Sequence, residues 1–305
     1  MSEFDIVGKS YPQIDGMQKA MGKTKFVTDL VLPGMLYGRT LRSPYPHAII
    51  KNIDTSRAKA LAGVKAVVTY ADTPGIKFGP RSEDWTIFAG EKARFHGDEV
   101  AAVAARDEDT AEEALELIDV EYEALPFVVD PLEAMQAEAP LVHDDKPGNI
   151  AAEFKVEAGD VDQAFKDSDI IYEDRYYLNQ VYQAYMEPMA TLADVDLSGR
   201  ITMWTGTQIP NMMRMTYAKA LGIAPDNIRV IVPDYGGAFG GKMENNIHLV
   251  AAVLAQKAQA PVKLVNTRYD DFIAGNPRVP MYIDIKLGAT KEGLLTGKEV
   301  QVVGA

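Results

Sequence analysis

The densest chemical signal in the sequence is the run Gly236-Gly237-Ala238-Phe239-Gly240-Gly241-Lys242. It follows a β-type apolar stretch, Ile228–Pro233, and precedes a helical pattern that begins near Asn245. Four glycines within six positions let a main chain turn tightly and bring several N–H groups to one anionic or oxo ligand. A helix start behind such a loop adds a potential that favours negative charge. The plain alternative is a tight strand-to-helix turn with no ligand. A third reading is a phosphate-binding loop, because Gly236 to Lys242 fits G-x-x-x-x-G-K. That pattern asks for a hydroxyl residue next, to hold Mg²⁺, and Met243 stands there, with bulky Phe239 inside the loop.

A second feature lies upstream. Trp204-Thr205-Gly206-Thr207-Gln208-Ile209-Pro210 ends a strand and leads into a helix. A glutamine at such a corner has amide N–H groups that can donate into a site, although a lone glutamine there is more often just solvated. Other reactive types carry less. His47, His96, His143 and His248 are scattered without zinc-ligand spacing. Glu187 reads as a structural carboxylate bonded to backbone, and Met212, Met213 and Met215 read as core filler.

Strands and helices must hold these loops. In the first part, strands are expected at 35–42, 48–53, 64–70, 98–106 and 118–122. A helix is expected at 56–61, with Asp54 as its cap. A second helix, capped by Asp109 or Thr110, runs to Leu117, so that strand, helix and strand form a βαβ crossover. Residues 74–96 read as a long loop. In the second part, strands are expected at 170–177, 190–195, 201–204, 228–232, 262–266 and 281–287, with helices at 211–221 and 245–259. Gly222 and Pro261 mark the helix ends. A hairpin pairs Asp284–Leu287 with Leu295–Val303. The fold class expected is α+β with a mixed sheet.

The 305 residues include no cysteine, which excludes disulfides, thiolate metal sites and cysteine-held iron–sulfur clusters in this chain. Lys and Arg total 31 against 44 Asp and Glu, a net charge of −13. That sign disfavours nucleic acid and anionic membranes as partners. The start, MSEFDIVGKSYPQ, has neither a basic n-region nor an apolar run, so the expected location is the cytoplasm.

The two features together narrow the reading. T-Q-I-P, a helix ended by L-G, the strand I-R-V-I-V-P and then D-Y-G-G-A-F-G-G-K resemble the molybdopterin-binding subunit of the xanthine dehydrogenase/aldehyde oxidase family. Gly22-Lys23-Thr24-Lys25-Phe26, Pro33-Gly34-Met35-Leu36-Tyr37 and Arg42-Ser43-Pro44 resemble the α/β hammerhead domain of the same family. The resemblance implies residues 16–127 as a hammerhead domain, 128–150 as a linker and 151–305 as the first, incomplete portion of a molybdopterin-binding domain. It implies a molybdenum hydroxylase that uses water as its oxygen source. The cofactor would be molybdopterin, commonly in bacterial members the cytosine dinucleotide form, with molybdenum that takes no direct protein ligand. Gln208 would meet a molybdenum oxo ligand, and Gly237, Ala238, Phe239 and Gly240 would lie against the cofactor.

Two departures bear on substrate. Xanthine-type members place Glu directly after G-G-K, whereas here Met243 holds that position and Glu244 follows. Arg278 loosely matches a family arginine that meets substrate. The resemblance also places the general base in a C-terminal part beyond this chain, so no catalytic residue is expected here. The expected partners are a second molybdenum subunit or C-terminal half, a [2Fe–2S] subunit, an FAD subunit and a small-molecule substrate, which would be an N-heteroaromatic, an aldehyde or a related small molecule. A phosphate-binding module and a non-catalytic fragment are the competing readings.

Overall fold

The computed structural model describes residues 4–79, 82–243 and 245–305. In the first part of the chain the strands are β1 (Leu36–Arg42), β2 (Ala48–Asp54), β3 (Val64–Thr69), β4 (Lys92–Ala93), β5 (Glu99–Ala105) and β6 (Asp119–Ala124). The second part adds β7 (Ile170–Leu178), β8 (Ala190–Val195), β9 (Ile201–Thr205), β10 (Ile228–Ile231) and β11 (Val262–Val265). The hairpin β12 (Met281–Ala289) and β13 (Leu295–Gly304) follows.

One mixed sheet of seven strands spans both parts, in the order β10-β9-β8-β11-β1-β5-β3. The join is a parallel pairing of β1 with β11, with Leu36 opposite Val262. The α+β class with a mixed sheet is therefore what the chain adopts, and its two parts share one sheet rather than keeping separate ones.

β5 lies near the middle of the first-part strands, and every one of its seven residues is buried. Its alternating faces explain this. Ala102 and Ala104 face the helix Ile247–Ala258, whereas Ala101, Val103 and Ala105 face the helices Glu108–Glu116 and Ser56–Ala60. Small side chains on both faces let helices approach from both sides. The helix Ile247–Ala258 is buried continuously from Ile247 to Ala255, as a helix that is apolar all round must be.

Three local expectations need correction. β6 does not return to the large sheet to close a βαβ unit. It pairs antiparallel with β2 in a small sheet of order β4-β2-β6. Its residues alternate between exposed and half-buried, a pattern that fits a sheet with one open face and not the doubly covered sheet beside β5. The helix after β5 is capped by Asp107, whose carboxylate accepts from Thr110 N–H at 2.8 Å, and not by Asp109 or Thr110. The cap position of the helix Ser56–Ala60 is Thr55, although Asp54 does accept from Ser56 N–H at 2.9 Å.

Residues 128–150 hold a short helix, Pro131–Ala134, and tie back to the first part through Arg94 and Lys92. The expected hairpin forms, with Asp284 opposite Gln301, and β7 pairs along the other edge of β12. Among the described residues no helix is long and apolar enough to cross a membrane.

Candidate functional site

β9 and β10 are parallel neighbours, with Trp204 opposite Ile231. Their carboxyl ends open on the same edge of the sheet, where open α/β sheets form their ligand crevices. The Gln208 corner leaves β9 there, and the glycine loop leaves β10 beside it. β8 is antiparallel to β9, so the run that enters β8, Gln183–Met189, reaches the same edge. β11 is antiparallel to β8 in turn and brings the helix Arg268–Ala274 there as well.

The two loops are bonded to each other. Gln208 N–H donates to the Lys242 carbonyl at 2.8 Å. Gly240 N–H donates to Gln208 Oε1 at 3.1 Å. Thr207 Oγ1 donates to the Met243 carbonyl at 3.3 Å. The Gly240 contact fixes which end of the Gln208 amide is oxygen, so the side chain keeps both its amide N–H donors. Gln208 is exposed, as is Phe239, which is 67% accessible. Phe239 sits at φ 53°, in the left-handed region. A bulky residue held there costs about 1–3 kcal/mol, a cost that clusters at functional sites. Ala238 is buried below it, and its carbonyl accepts from Gly241 N–H at 2.8 Å, closing the turn. Phe239 therefore does not pack in the core of this chain.

The inner side of the loop is a buried ion pair. Glu187 Oε2 accepts from Lys242 Nζ and from Gly236 N–H, each at 2.7 Å. The Lys242 side chain is 1% accessible and that of Glu187 11%. Burial pulls the Lys242 ammonium below its ordinary pKa, and the Glu187 carboxylate opposes that shift. The ammonium also lies 4.8 Å from the centre of the Tyr185 ring, a favourable cation–π position. Gly236 is required by this approach, since a Cβ there would stand 2.8 Å from Glu187 Cβ. Glu187 Oε1 is buried without a partner among the described residues.

The remaining candidates have other surroundings. Met243 is partly exposed after the loop, and Glu244 lies outside the described residues. Arg278 is exposed, and its main chain bridges to Val181 at 2.9 and 3.1 Å. His248 is buried against Tyr217 OH at 2.6 Å, and burial pushes its imidazole down to about 3, so it is a neutral core residue. Among the described residues no group of His, Cys, Asp or Glu could hold a metal ion. Of the three clustered methionines only Met213 is in the core, because Met212 and Met215 face out of the helix.

Sequence reasoning missed Asp271. It is fully buried, accepts from Asn266 Nδ2 at 3.1 Å and from Met189 N–H at 3.3 Å, and so ties the start of β8 to the helix Arg268–Ala274. The capping box of Thr267 with Asp270 marks the start of that helix but carries no signal for Asp271 itself.

Residues 142–305 match the molybdopterin cofactor-binding domain family, and residues 21–126 match the aldehyde oxidase and xanthine dehydrogenase a/b hammerhead domain. The chain belongs to the molybdopterin-binding subunits of the xanthine dehydrogenase/aldehyde oxidase family. It is 41% identical to a probable xanthine dehydrogenase subunit of Bacillus subtilis, over 95% of this chain and 39% of that protein. It is 36% identical to the nicotinate dehydrogenase large molybdopterin subunit of Eubacterium barkeri, over 99% of this chain and 71% of that subunit. Its fold matches a reconstituted CO dehydrogenase from Oligotropha carboxidovorans with a TM-score of 0.86 and 32% identity, over 97% of this chain and 39% of that one. The chain thus spans well under half of two of these molybdopterin-family relatives and most of the third.

Membership of the molybdopterin family agrees with how Lys242 is used. In a phosphate-binding loop the lysine stands at the start of the helix and reaches the phosphates. Here its ammonium is turned inward onto Glu187, and the helix begins only at Ile247.

Proposed function

We propose that this chain forms one wall of a molybdopterin–molybdenum site in a multi-subunit hydroxylase. Gln208 and the Gly237–Gly240 turn, with Ala238 and Phe239, would face the cofactor. The observation that carries the reading is the bond between Gly240 N–H and Gln208 Oε1, 3.1 Å long, which locks the two loops into one surface with amide donors left over.

The donor set suits the group. A cofactor whose metal is held by its own dithiolene needs no protein thiolate, and this chain has no cysteine. It does need N–H donors toward oxo and sulfur atoms that carry partial negative charge. A fixed amide and a glycine turn supply those donors without reorganisation. When bound, the cofactor supplies a two-electron acceptor and an oxygen-transfer centre.

The chain's own residues hold and shape. Gln208 offers N–H groups and is itself oriented by Gly240. Glu187 and Lys242 clamp the underside of the turn. The Phe239 ring lies by Gly237, and with a cofactor bound it would exclude water from the turn. Met243, Arg278 and Glu244 are the residues of this wall proposed to meet substrate. Met243 offers no charge, which favours a small N-heteroaromatic or aldehyde over a substrate that needs a carboxylate at that point.

The reaction replaces C–H by C–OH with oxygen from water and releases two electrons and two protons. The electrons would pass to [2Fe–2S] and FAD groups on partner subunits, and the general base would come from the complementary molybdopterin-binding part. The cytosine dinucleotide form of the cofactor and a cytoplasmic location belong to the same proposal. The test is molybdenum analysis of the complex purified through this chain. About one molybdenum per complex, lost in Gln208→Ala, supports the reading. A complex of normal composition without molybdenum, or magnesium-dependent nucleotide binding by the chain, defeats it.

A further inference from the structure

A cavity of about 300 Å³ lies where the two family-matched parts of the chain meet. Asp84, Trp85, Phe95 and Asp98 come to its wall from the first part, and Asn246 and Asn276 from the second. Gln208, Glu187, Phe239 and Lys242 are not in that wall. Asn276 links the cavity to the run that enters β8, because its carbonyl accepts from Gln183 Nε2 at 2.9 Å. The space suits one substituted ring and far exceeds a single water. Its walls hold two unmet hydrogen-bonding atoms, and both are acceptors. Asn246 Nδ2 donates to the Thr86 carbonyl and to Glu99 Oε2, each at 3.1 Å. Those two acceptors fix which end of the amide is nitrogen. Asn246 Oδ1 is left buried without a partner among the described residues. Asp84 takes Ser82 O–H on one oxygen at 2.5 Å, and its Oδ1 is buried and unpartnered in the same way. A buried acceptor without a donor costs about 1–3 kcal/mol, so this wall favours an occupant that carries N–H groups.

The wall is also short of positive charge. Glu99 is compensated, since its Oε1 pairs with Arg42 at 2.7 Å. Asp84 and Asp98 are not. Asp98 accepts from Arg94 N–H at 2.9 Å, and neither carboxyl has an ion-pair partner among the described residues. The Arg94 guanidinium is spent on the carbonyls of Val142 at 3.2 Å and Lys92 at 3.4 Å. His143 also lines the cavity, and burial, with Arg94 second, pulls its imidazole below its ordinary pKa. It therefore adds no positive charge at neutral pH. Trp85 and Phe95 add two aromatic rings, and aromatic faces attract cations.

We propose that this cavity binds a small planar organic cation that carries N–H donors, of the amidinium or protonated amino-heterocycle class. Its N–H groups meet the carboxylates of Asp84 and Asp98 and the amide oxygen of Asn246. Its ring lies against the aromatic side chains of the wall. A bare metal ion fits less well, because the described residues offer no group of His, Cys, Asp or Glu that could hold one. The binding needs nothing from Gln208 or the glycine loop, so it stands or falls apart from the molybdopterin reading.

Benzamidine is the probe, and benzamide, neutral and of the same shape, is its control. Each is titrated by calorimetry at pH 8 into the full chain and into the complex purified through it. The expected result is one benzamidine per chain in both samples, with benzamide at least tenfold weaker. Asp84→Asn and Asp98→Asn should each weaken benzamidine at least tenfold and leave benzamide unchanged. Melting curves show that the variants fold, and either one serves if the other does not. The comparison of benzamidine with benzamide needs no variant at all. Absence of benzamidine binding at millimolar concentration overturns the proposal and leaves the cavity to water. Benzamide bound as tightly as benzamidine overturns it too, as does parent-like affinity in a folded Asp84→Asn or Asp98→Asn. Binding by the free chain that vanishes in the complex also overturns it, because a partner then fills the cavity.

Discussion

Lys242 and Glu187, 55 residues apart in sequence, meet at 2.7 Å beneath the glycine loop. The same carboxylate oxygen also takes Gly236 N–H, so a single atom secures both ends of the turn. Removing one partner strands a buried charge, and removing both does not. Lys242→Met should therefore destabilise the fold by about 3–5 kcal/mol, and Lys242→Met with Glu187→Gln should recover most of that loss. Denaturant melts of the two variants check this. Equal destabilisation in both would show that the pair is not coupled.

Gln208 has separable halves. Gln208→Glu keeps an oxygen for Gly240 N–H but loses the amide donors. It should melt like the parent while its complex holds less molybdenum. Gln208→Ala also loses the bond to Gly240 and should cost an additional ~1 kcal/mol in stability. Calorimetry beside metal analysis separates the two. A full molybdenum complement in Gln208→Glu would remove the amide from the site.

Phe239 holds a left-handed backbone with little packing to compensate it. Phe239→Gly relieves that conformation and should leave stability unchanged or raise it by up to ~1 kcal/mol. Retention of molybdenum should fall, because the turn loses its apolar cover. A lower melting temperature would show instead that the ring is structural.

Asp98 supplies a pH dependence. Burial first, and neighbouring Glu99 second, push its carboxyl up to about 7. Its folded form therefore holds a proton that the unfolded chain releases near pH 4. Stability from this group is full at low pH, falls as pH rises toward 7 and stays flat above. The change is on the order of a few kcal/mol, reduced by partial solvent access. Melts from pH 4.5 to 8 should show this slope in the parent and lose it in Asp98→Asn. An unchanged slope would assign it to another group.

Much of this was legible in the sequence because it is local. The helix ends at Gly222 and near Gln259 and the hairpin of β12 with β13 follow from turn residues and short-range periodicity, whereas the facing of Gln208 to the glycine loop was legible only through the family resemblance of the two motifs. The inward turn of Lys242 was not legible, because its partner lies beyond β8, β9 and β10 and a lysine after glycines looks the same whether it faces a ligand or a buried carboxylate. The role of β6 was misread for a different reason. The spacing of strand, helix and strand suggested a crossover, while the charged–apolar alternation Asp119-Val120-Glu121-Tyr122-Glu123 is that of a sheet with one open face. The join of β1 to β11 has no local signature, since nothing within Leu36–Arg42 or Val262–Val265 encodes a partner so distant in sequence.

That join sets an order of assembly. β1 lies between β5 and β11, and Arg39 on β1 donates to the Val265 carbonyl, 226 residues onward. On the ribosome, β1, β3 and β5 can pair early, but one edge of β1 stays open until the segment after Gln259 has been made. Contacts this distant in sequence slow folding and lengthen the time for which a strand edge is exposed. The chain should therefore depend on holding chaperones late in synthesis, and fragments that stop before Val262 should aggregate through the open edge of β1.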